Sequence, residues 1–254
     1  MLNTQTLLQT EVPAEGYYTA TLPQSPARPI RTFLPEQVQS RYAYPVLVMF
    51  HGRGGNEEEV LRLAPLVSRR NYIAVSVRGP ESIGNRGDGR AACSWGDNGG
   101  SADDSADAAM QAVQMLRLHH NIHSQRVYLV GVNDGAAAAY RAAFALGNRV
   151  AGVVAVNGNL PRSQGKIPLF NLEQVRKQRV LICQSTSSSP TQELNVLRDR
   201  KLFYAAGAEV AYRRFKSTAA VPPEMLREVN RWIIDQIHAA PAEAGVRDWE
   251  SGVR

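Results

Sequence analysis

Five short runs in the chain are apolar at nearly every position and rich in β-branched residues: "PVLVMFH" at 45–51, "YIAVSVRG" at 72–79, "RVYLVG" at 126–131, "RVAGVVAVNG" at 149–158 and "RVLICQ" at 179–184. A strand with one wet face alternates apolar and polar residues, and these runs do not. They predict strands buried on both sides, as in a parallel sheet covered by helices. The segments between them carry helical spacing. After Ser101, residues Ala106, Ala109, Met110, Val113 and Leu116 share one face, and Ser101 with Asp104 forms a capping-box pattern at the start. Further helices are expected over Glu57 to Arg69, Asp134 to Ala145, Thr191 to Ala206 with Gly207 as the stop, and Pro222 to His238 with the proline in the first turn.

Strands alternating with helices predict an α/β fold: a doubly wound, mostly parallel sheet with helices on both faces. Its ligand site is expected at the carboxyl ends of the strands. "PIRTFLP" at 29–35 reads as an antiparallel edge strand. No repeat or linker divides the chain, and 254 residues suffice for one large core. The expected organisation is an N-terminal extension at 1–28, a single domain at 29–239, and a poorly ordered C-terminal tail at 240–254.

The net charge of +6 comes from basic residues interspersed with acidic ones, as in "LREVNRWIID". No basic stripe with interleaved aromatics is present, so nucleic acid is not an expected partner. No stretch approaches the ~20 consecutive apolar residues of a membrane span. Two cysteines, Cys93 and Cys183, make no disulfide framework, and "MLNTQTLLQTEVPAEG" lacks the basic flank and apolar run of a signal peptide. Cytoplasmic localisation is the expectation.

Two motifs carry the chemistry. "VYLVGVNDGAAAAYRAAFA" at 127–145 is an apolar run ending in Gly131, followed two residues later by Asn133 and then by Gly135 opening an alanine-rich helix. That spacing belongs to a sharp strand–turn–helix corner that normally displays a serine nucleophile. Here it displays an amide, from a residue type that tolerates positive φ better than most. The second motif, "MFHGRGGNEEEV" at 49–60, has glycines at 52, 54 and 55 that let backbone approach a ligand closely. It lacks the Gly-Lys-Ser/Thr ending of a phosphate loop.

Together "HGRGGN", "VRGP", "CSW", "LVGVNDG" and "VPPEMLREVNRWI" resemble the α/β-hydrolase fold and, within it, the phospholipase/carboxylesterase group of small esterases, from about Pro29 to Ile237. The resemblance implies an oxyanion hole built from the amides of Arg53 and Asp134. It also places the three members of a serine-hydrolase triad at Asn133 for the nucleophile, Ser188 (give or take one residue) for the acid and Ala219 for the histidine. None of the three has the family's side chain. The expectation is a protein of esterase descent without the triad's chemistry, serving a binding or regulatory role. Its partner would be a small acyl or anionic ligand, or another protein, with no cofactor and no metal.

The rival expectation is relocated chemistry, in which Cys93 or Ser94, in a loop over the pocket with Trp95 as its wall, is activated by His51. His51, Gly52, Cys93, Ser94 and Trp95 are accordingly the pocket candidates. Arg53, Arg78 and Arg90 either line the cleft, favouring an anionic ligand, or are solvated at its rim. "RGD" at 86–88 is a chance tripeptide in a polar loop.

Overall fold

The computed structural model describes residues 16–22, 28–96, 102–162, 166–167, 170–186 and 189–239. The expected C-terminal tail, the expected cap at Ser101 and the expected acid position at Ser188 lie outside them.

Eight strands form one sheet: β1 (Tyr17–Leu22), β2 (Arg28–Phe33), β3 (Tyr44–Phe50), β4 (Ile73–Val77), β7 (Ile122–Val132), β8 (Gly152–Val156), β9 (Arg179–Ser185) and β10 (Glu209–Phe215). They lie in the order β1-β2-β4-β3-β7-β8-β9-β10, and a separate hairpin is made by β5 (Glu81–Asn85) and β6 (Ala91–Ser94). From β4 to β10 every pairing is parallel, while β1 with β2 and β2 with β4 are antiparallel. The five apolar runs become β3, β4, β7, β8 and β9, and every residue of β3, β4 and β8 is buried.

Alternate residues of these strands feed two separate cores, as the two-residue period of a strand requires. On one face Val46, Val48, Phe50, Leu129 and Val153 pack under α3 (Ala102–His119), α4 (Gly135–Leu146), α5 (Leu172–Arg176) and α6 (Pro190–Ala206). On the other, Leu47, Met49, Tyr128, Val130 and Val154 pack under α1 (Glu57–Leu61), α2 (Ala64–Val67) and α7 (Pro223–Ala239). The doubly wound α/β architecture follows from this two-sided burial.

Two expectations are corrected. The segment at 29–35 is not the edge of the sheet, because β1, from the stretch assigned above to the N-terminal extension, pairs with β2 along its whole length from Tyr17 opposite Phe33 to Leu22 opposite Arg28. The single helix expected over 57–69 is two short ones, α1 and α2. Pro65 stands in the first turn of α2, where its missing N–H is harmless but would have broken a continuous helix. At the opposite edge β10, among the described residues, pairs only with β9 and carries Arg213 and Arg214, ion-paired to Glu228 of α7 and Glu193 of α6.

Candidate functional site

The carboxyl ends of β3, β7, β8 and β9 stand side by side, with Phe50 opposite Gly131, Gly131 opposite Ala155 and Ala155 opposite Ile182. The chain leaves β7 through the corner anticipated from the sequence. Asn133 sits at its tip, exposed, with φ 52°, and its N–H donates to the Val156 carbonyl at 2.8 Å. Holding a non-glycine residue in this left-handed region costs roughly 1–2 kcal/mol. The turn is squeezed on all sides. A Cβ at Gly131 would lie 2.4 Å from Ala136 Cα, one at Gly135 would lie 2.3 Å from the Phe50 carbonyl oxygen, and one at Gly158 would lie 2.3 Å from the Asn133 carbonyl oxygen. Helix α4 therefore starts hard against the end of β3, which only glycine permits.

The glycine-rich turn after β3 is zipped to the hairpin. Gly54 N–H donates to the Cys93 carbonyl and Cys93 N–H to the Gly55 carbonyl, each at 2.9 Å. Cys93 and Ser94 thus belong to β6, correcting the loop expected there. Gly52 approaches the corner so closely that a Cβ on it would lie 3.3 Å from Asn133 Cβ.

His51 is buried and both ring nitrogens are engaged by backbone. Nδ1 lies 2.8 Å from the Gly52 carbonyl, and Nε2 accepts the Gly79 N–H at 2.8 Å. An N–H donor at Nε2 fixes the neutral tautomer with its proton on Nδ1, so no lone pair is left for a nucleophile. Burial pushes the imidazole pKa below its ordinary value, partly offset by the Gly52 carbonyl and by Glu57 and Glu59. Because the folded pKa is depressed, His51 contributes stability above its unfolded value near pH 6.5 and that contribution is lost as pH falls below it. Urea midpoints at about pH 7.5 and about pH 5 should therefore fall further in the wild type than in His51→Gln. Equal falls would refute the assignment.

Cys93 is equally ill-suited to chemistry. Its side chain is buried, burial raises its thiol pKa, and Arg78 only partly opposes this. Trp95 is buried as well, with Nε1 donating to the His51 carbonyl at 2.9 Å.

Two hollows flank Asn133. One, of about 510 Å³, is lined by Arg53, Ser94, Trp95, Asp134, Asn159 and Arg162 among others. The second, of about 540 Å³, has an apolar wall of Val60, Leu63, Val132, Ala220 and Val221 beside His51 and Gly52. Of the pocket candidates Cys93 alone lines neither.

Of the three arginines, only Arg53 reaches these hollows, as does Arg86. Arg78 is held by both oxygens of Glu57, at 2.7 and 2.6 Å, and Arg90 faces Glu58 and Asp88. The sequence offered no signal for Arg162, which enters the polar cleft of about 510 Å³ from beyond β8. It is paired with Asp199 of α6, whose other oxygen accepts the Leu160 N–H at 2.8 Å.

Ala219 is exposed in the loop between β10 and α7, and that loop is tied down by neighbours. Ser185 Oγ donates to the carbonyls of Ser217 and Ala219, both at 3.1 Å, and the Asn157 side-chain amide donates to the Ala220 carbonyl. Asn157 Oδ1 in turn accepts the Ser185 N–H at 2.7 Å. Asn157 has φ 51°, and the only trace of this in the sequence is the Asn-Gly pair it forms with Gly158.

Among the described residues no three His, Cys, Asp or Glu side chains gather as a metal site, and no helix is long and apolar enough to cross a membrane.

The fold is shared with solved esterases. A thermostable esterase superimposes with a TM-score of 0.64 at 17% identity, over 86% of this chain and 62% of its own, so the chain spans less than two thirds of that protein. A carboxylesterase from Mesorhizobium loti gives a TM-score of 0.60 and one from Bacillus cereus 0.59, both at 17% identity over 82% of this chain and 94% of theirs. No curated protein matches the sequence. The sequence profile described as phospholipase/carboxylesterase matches residues 37–199, more than half of the 254. Those residues run from the turn before β3 into α6 and include the corner at Asn133, and the chain belongs to the phospholipase/carboxylesterase family of α/β-hydrolases.

Proposed function

We infer that this family member binds a small ligand in its cleft without hydrolysing it, in a binding or regulatory role. The observation that carries the reading is the corner itself: Asn133 holds the exposed, positive-φ position from which a hydrolase of this fold presents its nucleophile, and a carboxamide is a poor nucleophile. The histidine position falls at Ala219, which cannot move a proton, and the acid position at Ser188. Loss of triad members leaves only the modest acceleration that an oxyanion hole and binding supply. The amides of Arg53 and Asp134 are the oxyanion-hole counterparts, and both residues line the cleft. An open cleft of about 510 Å³ favours ligand binding over a purely structural subunit, whose cleft its own side chains would fill.

A hydrolase with a relocated nucleophile is the second reading. The buried thiol of Cys93, the two engaged nitrogens of His51, and Ser94, whose Oγ accepts the Gly96 N–H at 3.0 Å, all weigh against it.

The test is hydrolysis of short-chain nitrophenyl esters and thioesters by wild-type protein and a Cys93→Ala, Ser94→Ala variant, with fluorophosphonate labelling alongside. No turnover and no label are expected. Turnover lost in the variant, or a label mapped to one residue, would make the protein an enzyme. Asn133→Ser alone is expected to yield almost no esterase activity, and strong activity from that change would overturn the assignment of Ala219.

A further inference from the structure

Helices α6 and α7 are equally long but turn different faces outward. α7 exposes no large apolar side chain, and its Arg227 and Arg231 pair with Glu224 and Glu228. α6 exposes Leu194, Leu197, Leu202 and Tyr204 together with Arg198 and Lys201, and no carboxylate. At 3.6 residues per turn these six positions fall within roughly 160° of the helix circumference, so they form one face. Both acids of α6 are taken, Glu193 by Arg214 and Asp199 by Arg162. Arg198 and Lys201 have no carboxylate partner among the described residues.

α5 packs beside α6 and adds exposed Leu172, Arg176 and Lys177 against a single acid, Glu173. Five of the ten large apolar residues exposed among the described residues therefore stand on these two helices, which is a cluster and not the scatter of single residues found on any surface.

A partner for the α6 face must cover apolar tips and receive cations at once. None of its four large apolar residues lines either hollow beside Asn133, so they suit a yielding surface that takes them in. A second copy of the same face would bring cation to cation with no acid to receive them. The interfacial zone of an anionic bilayer meets both demands: acyl chains take the apolar tips, and headgroup anions receive the ends of long arginine and lysine side chains.

We propose that the outer face of α6 docks the protein peripherally on an anionic lipid surface, with Leu194, Leu197, Leu202 and Tyr204 entering the interface and Arg198 and Lys201 meeting headgroup anions. Of the exposed residues of α6 only Thr191 also lines the cleft, so docking stands independently of what the cleft binds.

Co-sedimentation with phosphatidylcholine vesicles, with and without phosphatidylserine, tests this. Binding is expected only where phosphatidylserine is present, and it should weaken as salt is added. Arg198→Gln combined with Lys201→Gln should weaken it about thirtyfold, from the usual gain per cation at such a surface. Arg227→Gln combined with Arg231→Gln removes the same charge from α7 and should cost far less. Leu194→Gln with Leu197→Gln, which retains helix propensity, should weaken binding at least about tenfold. Leu118→Gln, on the exposed end of α3, is the apolar control and should leave it unchanged. Tyr204→Trp removes nothing from the face, and its added fluorescence should be quenched by brominated lipid. Absence of binding to either vesicle, or of that quenching, would overturn the lipid surface and leave an acidic protein as the partner the face fits. Binding that the leucine pair leaves unchanged would overturn it as well, since general attraction to a basic protein would then suffice. Dimers in sedimentation velocity that the leucine pair abolishes would assign the face to a second copy instead.

Discussion

Gly135→Ala is expected to destabilise the protein by about 3 kcal/mol or more, at the top of the range for overpacking a filled core. The added methyl would sit 2.3 Å from the Phe50 carbonyl oxygen and 2.5 Å from that of His51. Both are backbone atoms at the end of a buried strand, so neither can swing aside as a side chain would. Relief would require α4 to lift off β3, and any shift of the His51 carbonyl would also disturb the bond it accepts from Trp95 Nε1. For a chain of this size such a loss lowers the melting midpoint by roughly 6–12 °C. Gly87→Ala is the control, since a Cβ there meets nothing within 4 Å, and it should change stability by less than about 0.5 kcal/mol. Similar midpoints for the two variants would show that the corner is looser than its geometry implies.

Asp199→Ala should be as damaging for an electrostatic reason. The side chains of Arg162 and Asp199 are 13% and 2% exposed, so removing the carboxylate strands a guanidinium in a poorly hydrated place and leaves the Leu160 N–H without its acceptor. Breaking a buried pair in this way costs about 3–5 kcal/mol. The pair is nevertheless not a large net stabiliser. Burial raises the Asp199 pKa above its ordinary value despite the opposing pull of Arg162, so desolvation outweighs attraction. Arg162→Leu combined with Asp199→Asn, which removes both charges and keeps an acceptor for Leu160, should therefore recover most of the loss. Denaturant midpoints decide it. A double variant no better than the single one would mean that the attraction dominates after all.

Legibility followed burial. β3, β4, β8, β9 and the second half of β7 announce themselves because both faces are covered, leaving runs that are apolar at nearly every position. β5 is exposed throughout, and β10 mixes half-buried with exposed positions, so neither has an apolar signature. Helices α4, α6 and α7 begin and end within a residue or so of their predicted bounds, since Gly135, Pro190, Gly207 and Pro223 mark the boundaries chemically.

The site divides in the same way. Asn133 could be located because glycine spacing reports a local turn. The convergence of Asn159, Arg162 and Asn195 on one cleft depends on how β8 meets α6, which no local pattern encodes. The position of Arg78 is not legible for a related reason: a charged side chain gives no hint in the sequence of the carboxylate that holds it, here Glu57.

The last strand of the sheet has a bearing on how the protein behaves at high concentration. One side of β10 pairs with β9, and its other side, unpaired among the described residues, carries backbone donors and acceptors that a strand from another molecule could claim. Arg213 and Arg214 guard that margin, each steered by a carboxylate from a neighbouring helix. Charged side chains on an edge strand make its pairing with a second sheet costly, because their heads would have to give up water and partners on contact, so this margin is disfavoured as a template for association.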